Sequence, residues 1–201
     1  MSGRWSRCAV AGLVGASMIS GWALADPAAK PDDASEQSAR LFVQRFYDWY
    51  LQRVLAASEQ QQKNPKAKDF GFIDSVRQRP TWFSAELKRL LEEDIAAARR
   101  CSSEQVGIDW DPFLETQDPS PAYTVSKVER TPQGFRASVD FHDKHTGVVE
   151  TPMAQADIAF VDHHWIFVDF VQSPTDPKLR QGLVKLLKGY ERDGEYNCPK
   201  D

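Results

Sequence analysis

The sequence predicts an α+β domain, in which helices come first, an antiparallel sheet of about four strands follows and a further helix ends the chain. Apolar residues recur every three to four positions up to Arg100, which is the helical period. After Pro121 apolar and polar residues alternate, as they do in strands with one buried face. Since the two periods occupy separate parts of the chain, we expect the N-terminal helices to pack on a curved antiparallel sheet.

The N-terminus has the layout of a secretory signal peptide. Arg4 and Arg7 precede an uncharged apolar run over residues 8–24, which closes on the small residues around Ala25. The run contains glycines and serines and no stop-transfer charges follow it closely, so a membrane anchor fits less well. We therefore predict cleavage at about Ala25 and a periplasmic or secreted protein that is soluble and keeps no transmembrane segment.

Removing this segment leaves 176 of the 201 residues, the size of one domain with a core. The remaining 23 basic and 29 acidic residues argue against nucleic acid as a partner. Residues 26–34 are predicted to be a disordered lead-in, residues 35–172 the α+β domain, and residues 173–201 a C-terminal helix and tail packed on it.

Two cysteines remain after cleavage, Cys101 and Cys198. An even pair in an oxidising compartment predicts a disulfide. Closing a loop of this length contributes roughly 4–5 kcal/mol in the chain-entropy model. Two free thiols and a metal pair are the alternatives.

Three helical segments come first. The spacing predicts a helix over about 35–61, ended by Pro65, then a short helix over 70–77 and a third over 85–100 with Ser84 as its N-cap. The first of them carries an aromatic stripe: Ala39, Phe42, Val43, Phe46, Trp49, Tyr50 and Val54.

Four strands are predicted next, over 123–128, 135–141, 148–161 and 165–171. Pro152 must mark an edge, a bulge or a break in the third strand. The tight turn Asp162-His163-His164 precedes the fourth. A last helix starts at Asp176 and Pro177 and runs to Tyr190, since a cap followed by proline is typical of a helix start.

This order of elements resembles the nuclear transport factor 2-like, cone-shaped α+β fold. Three segments, 46–51, 111–118 and 165–171, more narrowly resemble the exported bacterial family called domain of unknown function 3828. The Asp-Pro-Phe-Leu run that begins at Asp111 is the most specific of them. The resemblance implies a fold and an export compartment, and no catalytic residues, because that family has no established activity.

The acidic run over residues 109–118 is the first candidate site. It contains four carboxylates, Asp109, Asp111, Glu115 and Asp118, and the amide of Gln117. Calcium takes such oxygen ligands, but the run lacks the glycine and the terminal glutamate of an EF-hand loop. The alternatives are contact with a partner or ligand, and a structural role in which the acids cap a turn while Trp110, Phe113 and Leu114 plug the core.

The acids of the predicted strands are the second candidate. Alternation places Asp169 on one strand face with Trp165, Phe167 and Val171, lining or rimming a cavity between sheet and helices. A desolvated aspartate beside aromatic rings is a candidate general base. The alternative is a carboxylate bonded to a neighbouring strand or to an arginine of the first helix, such as Arg45 or Arg53.

The chain contains none of the short sequence motifs that mark nucleotide-binding, serine-hydrolase or zinc-protease sites. We therefore expect a non-catalytic module that binds an envelope protein or a small ligand, with Trp165 and Asp169 beside the cavity and without a cofactor or metal. The competing hypothesis is a small periplasmic enzyme that uses the same cavity, with Asp169 as its base.

Overall fold

Helices and strands follow one another in a computed structural model in the order that the periodicity predicts. The structure describes residues 34–67, 70–100, 107–108, 110–116, 119–142, 149–171, 178–192 and 195–196. All of them belong to one of the chain's two units, Pro31–Asp201. The other unit, Met1–Lys30, and the predicted signal peptide within it lie outside the described residues.

Three helices precede the sheet: α1 (Glu36–Lys63), α2 (Phe72–Gln78) and α3 (Ala85–Arg100). A short 3-10 helix, Pro80–Trp82, joins α2 to α3. Ser84 caps α3 as predicted, since its Oγ accepts from the Leu87 backbone N–H at 3.2 Å. No helix among the described residues is long and apolar enough to cross a membrane.

The sheet has four antiparallel strands in the order of the chain: β1 (Tyr123–Thr131), β2 (Gly134–His142), β3 (Val149–Val161) and β4 (His164–Val171). The chain then forms α4 (Leu179–Tyr190) and a two-stranded ribbon, β5 (Glu191–Arg192) and β6 (Glu195–Tyr196). The predicted α+β class, with N-terminal helices and a C-terminal helix, is confirmed.

Two irregularities in the strands follow from particular residues. The register between β2 and β3 shifts from Val139↔Ala154 to Phe141↔Glu150, and Pro152, which cannot donate to the ladder, lies in the shifted stretch. A second shift, between β3 and β4, passes from Ile158↔Phe167 to Asp157↔Asp169 and leaves Val168 as the extra residue.

The hairpin between β3 and β4 uses the predicted tight turn. Val161 pairs with His164, and the two residues between them, Asp162 and His163, have φ angles of 47° and 64°. A two-residue loop with both φ angles positive is a type I′ turn, whose twist matches that of the flanking strands. Glycine is the residue best suited to such angles, so the histidine at position 163 lowers the stability of the hairpin relative to glycine.

Aromatic side chains fill the space between α1 and the sheet. Phe46 and Phe167 have ring centres 4.7 Å apart, and the rings of Phe113 and Phe170 are equally close. Phe83 stacks on Phe113 with ring centres 5.6 Å apart. All five rings are buried. The space that a cone-shaped fold would offer as a ligand cavity is therefore packed core at this level of the sheet.

Candidate functional site

The segment from Trp110 to Thr116 lies beside α1 and is organised around one carboxylate. Asp111 Oδ1 accepts from the backbone N–H groups of Phe113, at 2.9 Å, and Leu114, at 3.0 Å. Its Oδ2 accepts from the hydroxyl of Tyr50. Burial raises the pKa of Asp111, while the hydrogen bonds from Tyr50 and the two backbone groups oppose that rise.

Three tyrosines, Tyr47, Tyr50 and Tyr123, fasten this segment to the domain. The Tyr47 hydroxyl donates to the carbonyl of Phe113 at 2.9 Å, and Tyr123 donates to that of Leu114 at 3.4 Å. Burial raises the pKa of Tyr47 well above its usual value, and the neighbouring Tyr123 and acids add to the shift. These contacts support the structural interpretation of the run, with an acid capping a turn and two apolar residues in the core.

The remaining acids of the run divide between described and undescribed residues. Glu115 closes the turn, where its backbone N–H donates to the Asp111 carbonyl at 2.9 Å and its φ is 58°. Asp109, Gln117 and Asp118 lie outside the described residues. Among the residues that are described, no three histidine, cysteine or acidic side chains form a group able to hold a metal ion.

A cleft of about 430 Å³ opens beside this segment, between the C-terminal half of α1, the start of α2 and the segment Trp110–Thr116 with its described neighbours Ile108 and Pro119. Its wall is made of aromatic and aliphatic groups and of neutral hydroxyl and amide groups. The described lining residues are Val54, Ser58, Gln61, Phe70, Gly71, Phe72, Ile108, Trp110, Asp111, Leu114, Thr116 and Pro119. Of these, only Asp111 is ionisable, and both of its oxygens already accept hydrogen bonds from the protein.

The sequence located one wall of this cleft and missed the other. Asp111 and Trp110 belong to the predicted run, whereas Ser58 and Gln61 stand on the polar side of a helix and Phe70 looks like an ordinary core residue. They come together only because the end of α1 passes beside the segment Trp110–Thr116. One sequence signal could have pointed to the missed wall of the cleft. It is the pair of aromatic residues Phe70 and Phe72, which flank a glycine at the start of a short helix.

The structure corrects the predicted placement of Asp169. Because Val168 is an extra residue in β4, Phe170 pairs with Ala156 on the core face and Asp169 pairs with Asp157 on the opposite face. Asp169 thus shares its face with Val171, as predicted, and not with Trp165 and Phe167. The general-base hypothesis placed this carboxylate in the cavity between sheet and helices, and it does not lie there.

The partner of Asp169 is an arginine of α4, not Arg45 or Arg53 of α1. Asp169 Oδ1 accepts from the backbone N–H of Arg180 at 3.0 Å, and Oδ2 accepts from Arg180 Nε at 3.2 Å. Arg180 also forms an ion pair with Glu86 at the start of α3. The Asp169 carboxylate therefore holds α4 against the sheet. This agrees with the predicted alternative of a carboxylate bonded to an arginine, although the arginine belongs to α4 and not to α1.

A second ion-paired carboxylate lies next to it on the same face. The Asp157 carboxylate accepts two hydrogen bonds from Arg136, one from Nε at 2.6 Å and one from Nη2 at 3.0 Å. It also forms an ion pair with Lys178. Burial would raise the pKa of Asp157, but the hydrogen bonds and charges of Arg136 and Lys178 outweigh it and lower the pKa. Asp157, Lys178 and Asp169 are among the residues that line a small cavity of about 170 Å³.

Trp165 and the cysteines complete the set of predicted residues. The indole of Trp165 is buried against Phe135 and Phe160, and its N–H donates to Ser38 Oγ at 3.0 Å. Cys101 and Cys198 lie outside the described residues, so their predicted disulfide stays a prediction. The structure therefore separates the predicted site residues into three places: Asp111 at the cleft, Trp165 in the core, and Asp169 on the far face of the sheet.

The cleft beside Asp111 is the candidate site, because it combines an accessible volume with a wall of mixed chemistry. Comparison with known proteins adds no further assignment, since no family model, no curated protein and no solved structure matches the chain.

Proposed function

We propose that this chain is an exported, non-catalytic module that binds an uncharged, partly apolar ligand in the cleft beside Asp111. The observation that supports it is the cleft itself, about 430 Å³ in volume, with Phe70, Phe72 and Trp110 among its lining residues. Volumes of this size hold small organic ligands, and apolar walls with a few polar groups are typical of such sites.

The polar groups of the cleft indicate the kind of ligand. Ser58 and Gln61 offer hydroxyl and amide groups that donate and accept hydrogen bonds without charge. Asp111 is engaged with Tyr50 and with backbone donors, and burial disfavours its charged form. A ligand with an apolar body and a few neutral hydrogen-bonding groups matches this wall better than an ion does.

Export is part of the proposal and rests on the sequence. The two arginines, the apolar run and the small residues around Ala25 have the layout of a cleaved signal. Expression in a Gram-negative host followed by mass measurement of the periplasmic fraction tests this part. A mass for a chain beginning at Asp26 is expected, and the same sample, alkylated without reductant, shows whether Cys101 and Cys198 are bonded.

The cleft is tested by filling it. Gly71 lines the cleft, its φ of −103° is open to any residue, and no atom lies within 4 Å of where its Cβ would be. Gly71→Trp therefore introduces an indole at a position whose backbone accepts a Cβ and which lines the cleft. Gly182 of α4 has equally open surroundings and does not line the cleft, so Gly182→Trp is the matched control.

The probe is the uncharged apolar dye Nile red, followed by its fluorescence. The wild type and Gly182→Trp are expected to bind the dye with the same affinity, and Gly71→Trp is expected to weaken binding about tenfold or more because the dye loses its pocket. Equal binding by all three proteins would show that the dye binds elsewhere and that the cleft is not a ligand site.

A further inference from the structure

Two tryptophans and two arginines form a stacked cluster where α1 meets the 3-10 helix; Trp49, Arg53, Arg79 and Trp82 are called the Trp–Arg cluster below. The guanidinium carbon of Arg79 lies 5.3 Å from the centre of the Trp49 ring and 5.1 Å from that of Trp82. Arg53 approaches the Trp49 ring to 5.9 Å. The two indole rings are 5.6 Å apart and nearly perpendicular.

This surface carries three arginines, Arg45, Arg53 and Arg79. Arg45, one helical turn before Trp49, and both arginines of the cluster are exposed. Within the part of the chain that the structure describes, none of these three forms an ion pair, whereas Arg89 and Arg136 each bond a carboxylate.

Stacking also prepares Arg79 to bind an anion. A guanidinium that lies against aromatic rings keeps the N–H groups of its edge free, in the planar arrangement that matches a carboxylate. The indole N–H of Trp49 is buried and has no acceptor among the described residues. Among aromatic side chains the indole attracts a cation most strongly, so the Trp49 ring helps to hold Arg53 and Arg79 against its face.

We propose that the Trp–Arg cluster is a docking surface for an acidic segment of a partner protein, with Arg79 binding a carboxylate. Charge complementarity identifies the partner, and Trp and Arg are the residues that most often dominate the energy of protein interfaces. An anionic membrane fits less well, since both indole rings are half-buried instead of projecting outward.

A fluorescently labelled oligoglutamate peptide serves as the probe, and its anisotropy is followed with the purified chain at about 0.15 M salt. The variants are Arg79→Gln, which removes the charge, and Arg79→Lys, which keeps the charge and removes the planar fork. Arg89→Gln is the matched control, because Arg89 is an exposed arginine already bonded to Glu93 at 2.7 Å. Melting curves confirm that each variant is folded.

We expect Arg79→Gln to weaken peptide binding about tenfold or more, as the loss of a charge-assisted hydrogen bond does, and Arg79→Lys to weaken it by a smaller factor. Arg89→Gln and the cleft variant Gly71→Trp should bind like the wild type, which separates this proposal from the ligand cleft. No peptide binding by the wild type, an equal loss in Arg89→Gln, or tighter binding to phosphatidylglycerol vesicles than to the peptide would overturn it.

Discussion

Replacing Phe113 by alanine tests whether the acidic run is anchored in the core or is a surface loop free to bind. The Phe113 side chain is fully buried. Its ring lies between 4.7 and 6.3 Å, centre to centre, from five other aromatic rings, which are Phe46, Tyr50, Phe72, Phe83 and Phe170. Few side chains of this domain lose as many partners on truncation.

The expected loss of stability on truncation follows from these contacts. Truncation of a buried phenylalanine to alanine costs about 3–5 kcal/mol, and the lost aromatic pairs place Phe113 near the upper end of that range. A domain of this size loses about 2–4 °C in melting temperature for each kcal/mol. We therefore expect Phe113→Ala to lower the melting temperature by roughly 8–20 °C.

Urea unfolding, followed by far-ultraviolet circular dichroism, measures the loss of unfolding free energy as a lower midpoint with an unchanged slope. The control is Leu41→Ala on α1, because Leu41 is 49% exposed and its truncation should change the unfolding free energy by less than about 0.5 kcal/mol. A loss of less than about 1 kcal/mol for Phe113→Ala would refute the packing described for this segment.

Two further substitutions test single groups. Asp94 is buried and accepts from the Ile108 N–H at 3.2 Å, and burial raises its pKa from 3.8, so the folded state is penalised as pH rises above 3.8. Asp94→Asn should therefore be more stable than the wild type at pH 7 and lose that advantage below pH 3.8, in urea titrations at both pH values. His163→Gly should stabilise the protein by about 0.5–1 kcal/mol, because glycine adopts a positive φ without strain. The control is His164→Gly, which should destabilise the protein because His164 lies in β4. An unchanged urea midpoint for His163→Gly would contradict the turn geometry.

The helices and strands were predictable because each depends on a local pattern. The stripe around Phe46 and the alternation through Phe135 and Val139 place one face of each element in the core, whatever the order in which the elements meet. The cap at Ser84 and the tight turn at Asp162 and His163 are likewise set by neighbouring residues.

The site was only half predictable because it depends on contacts between distant residues. The run around Asp111 was visible as a cluster of carboxylates, but its bond to Tyr50 and the wall supplied by Ser58 appear only when α1 passes beside it. Asp169 was placed on the wrong face because alternation assumes a regular strand, and one extra residue at Val168 reverses every position after it.

The sequence by itself determined the class of fold, the order of its elements and the apolar faces of its regular helices and strands, because hydrophobic period and turn chemistry act over a few positions. The tertiary structure alone decided which side chains meet across the chain: the pairing of Asp169 with Arg180, the cleft between α1 and Asp111, and Arg79 stacked on two indole rings. The physical reason is that charge pairing and cavities depend on distances between segments far apart in sequence, and no local pattern encodes those distances.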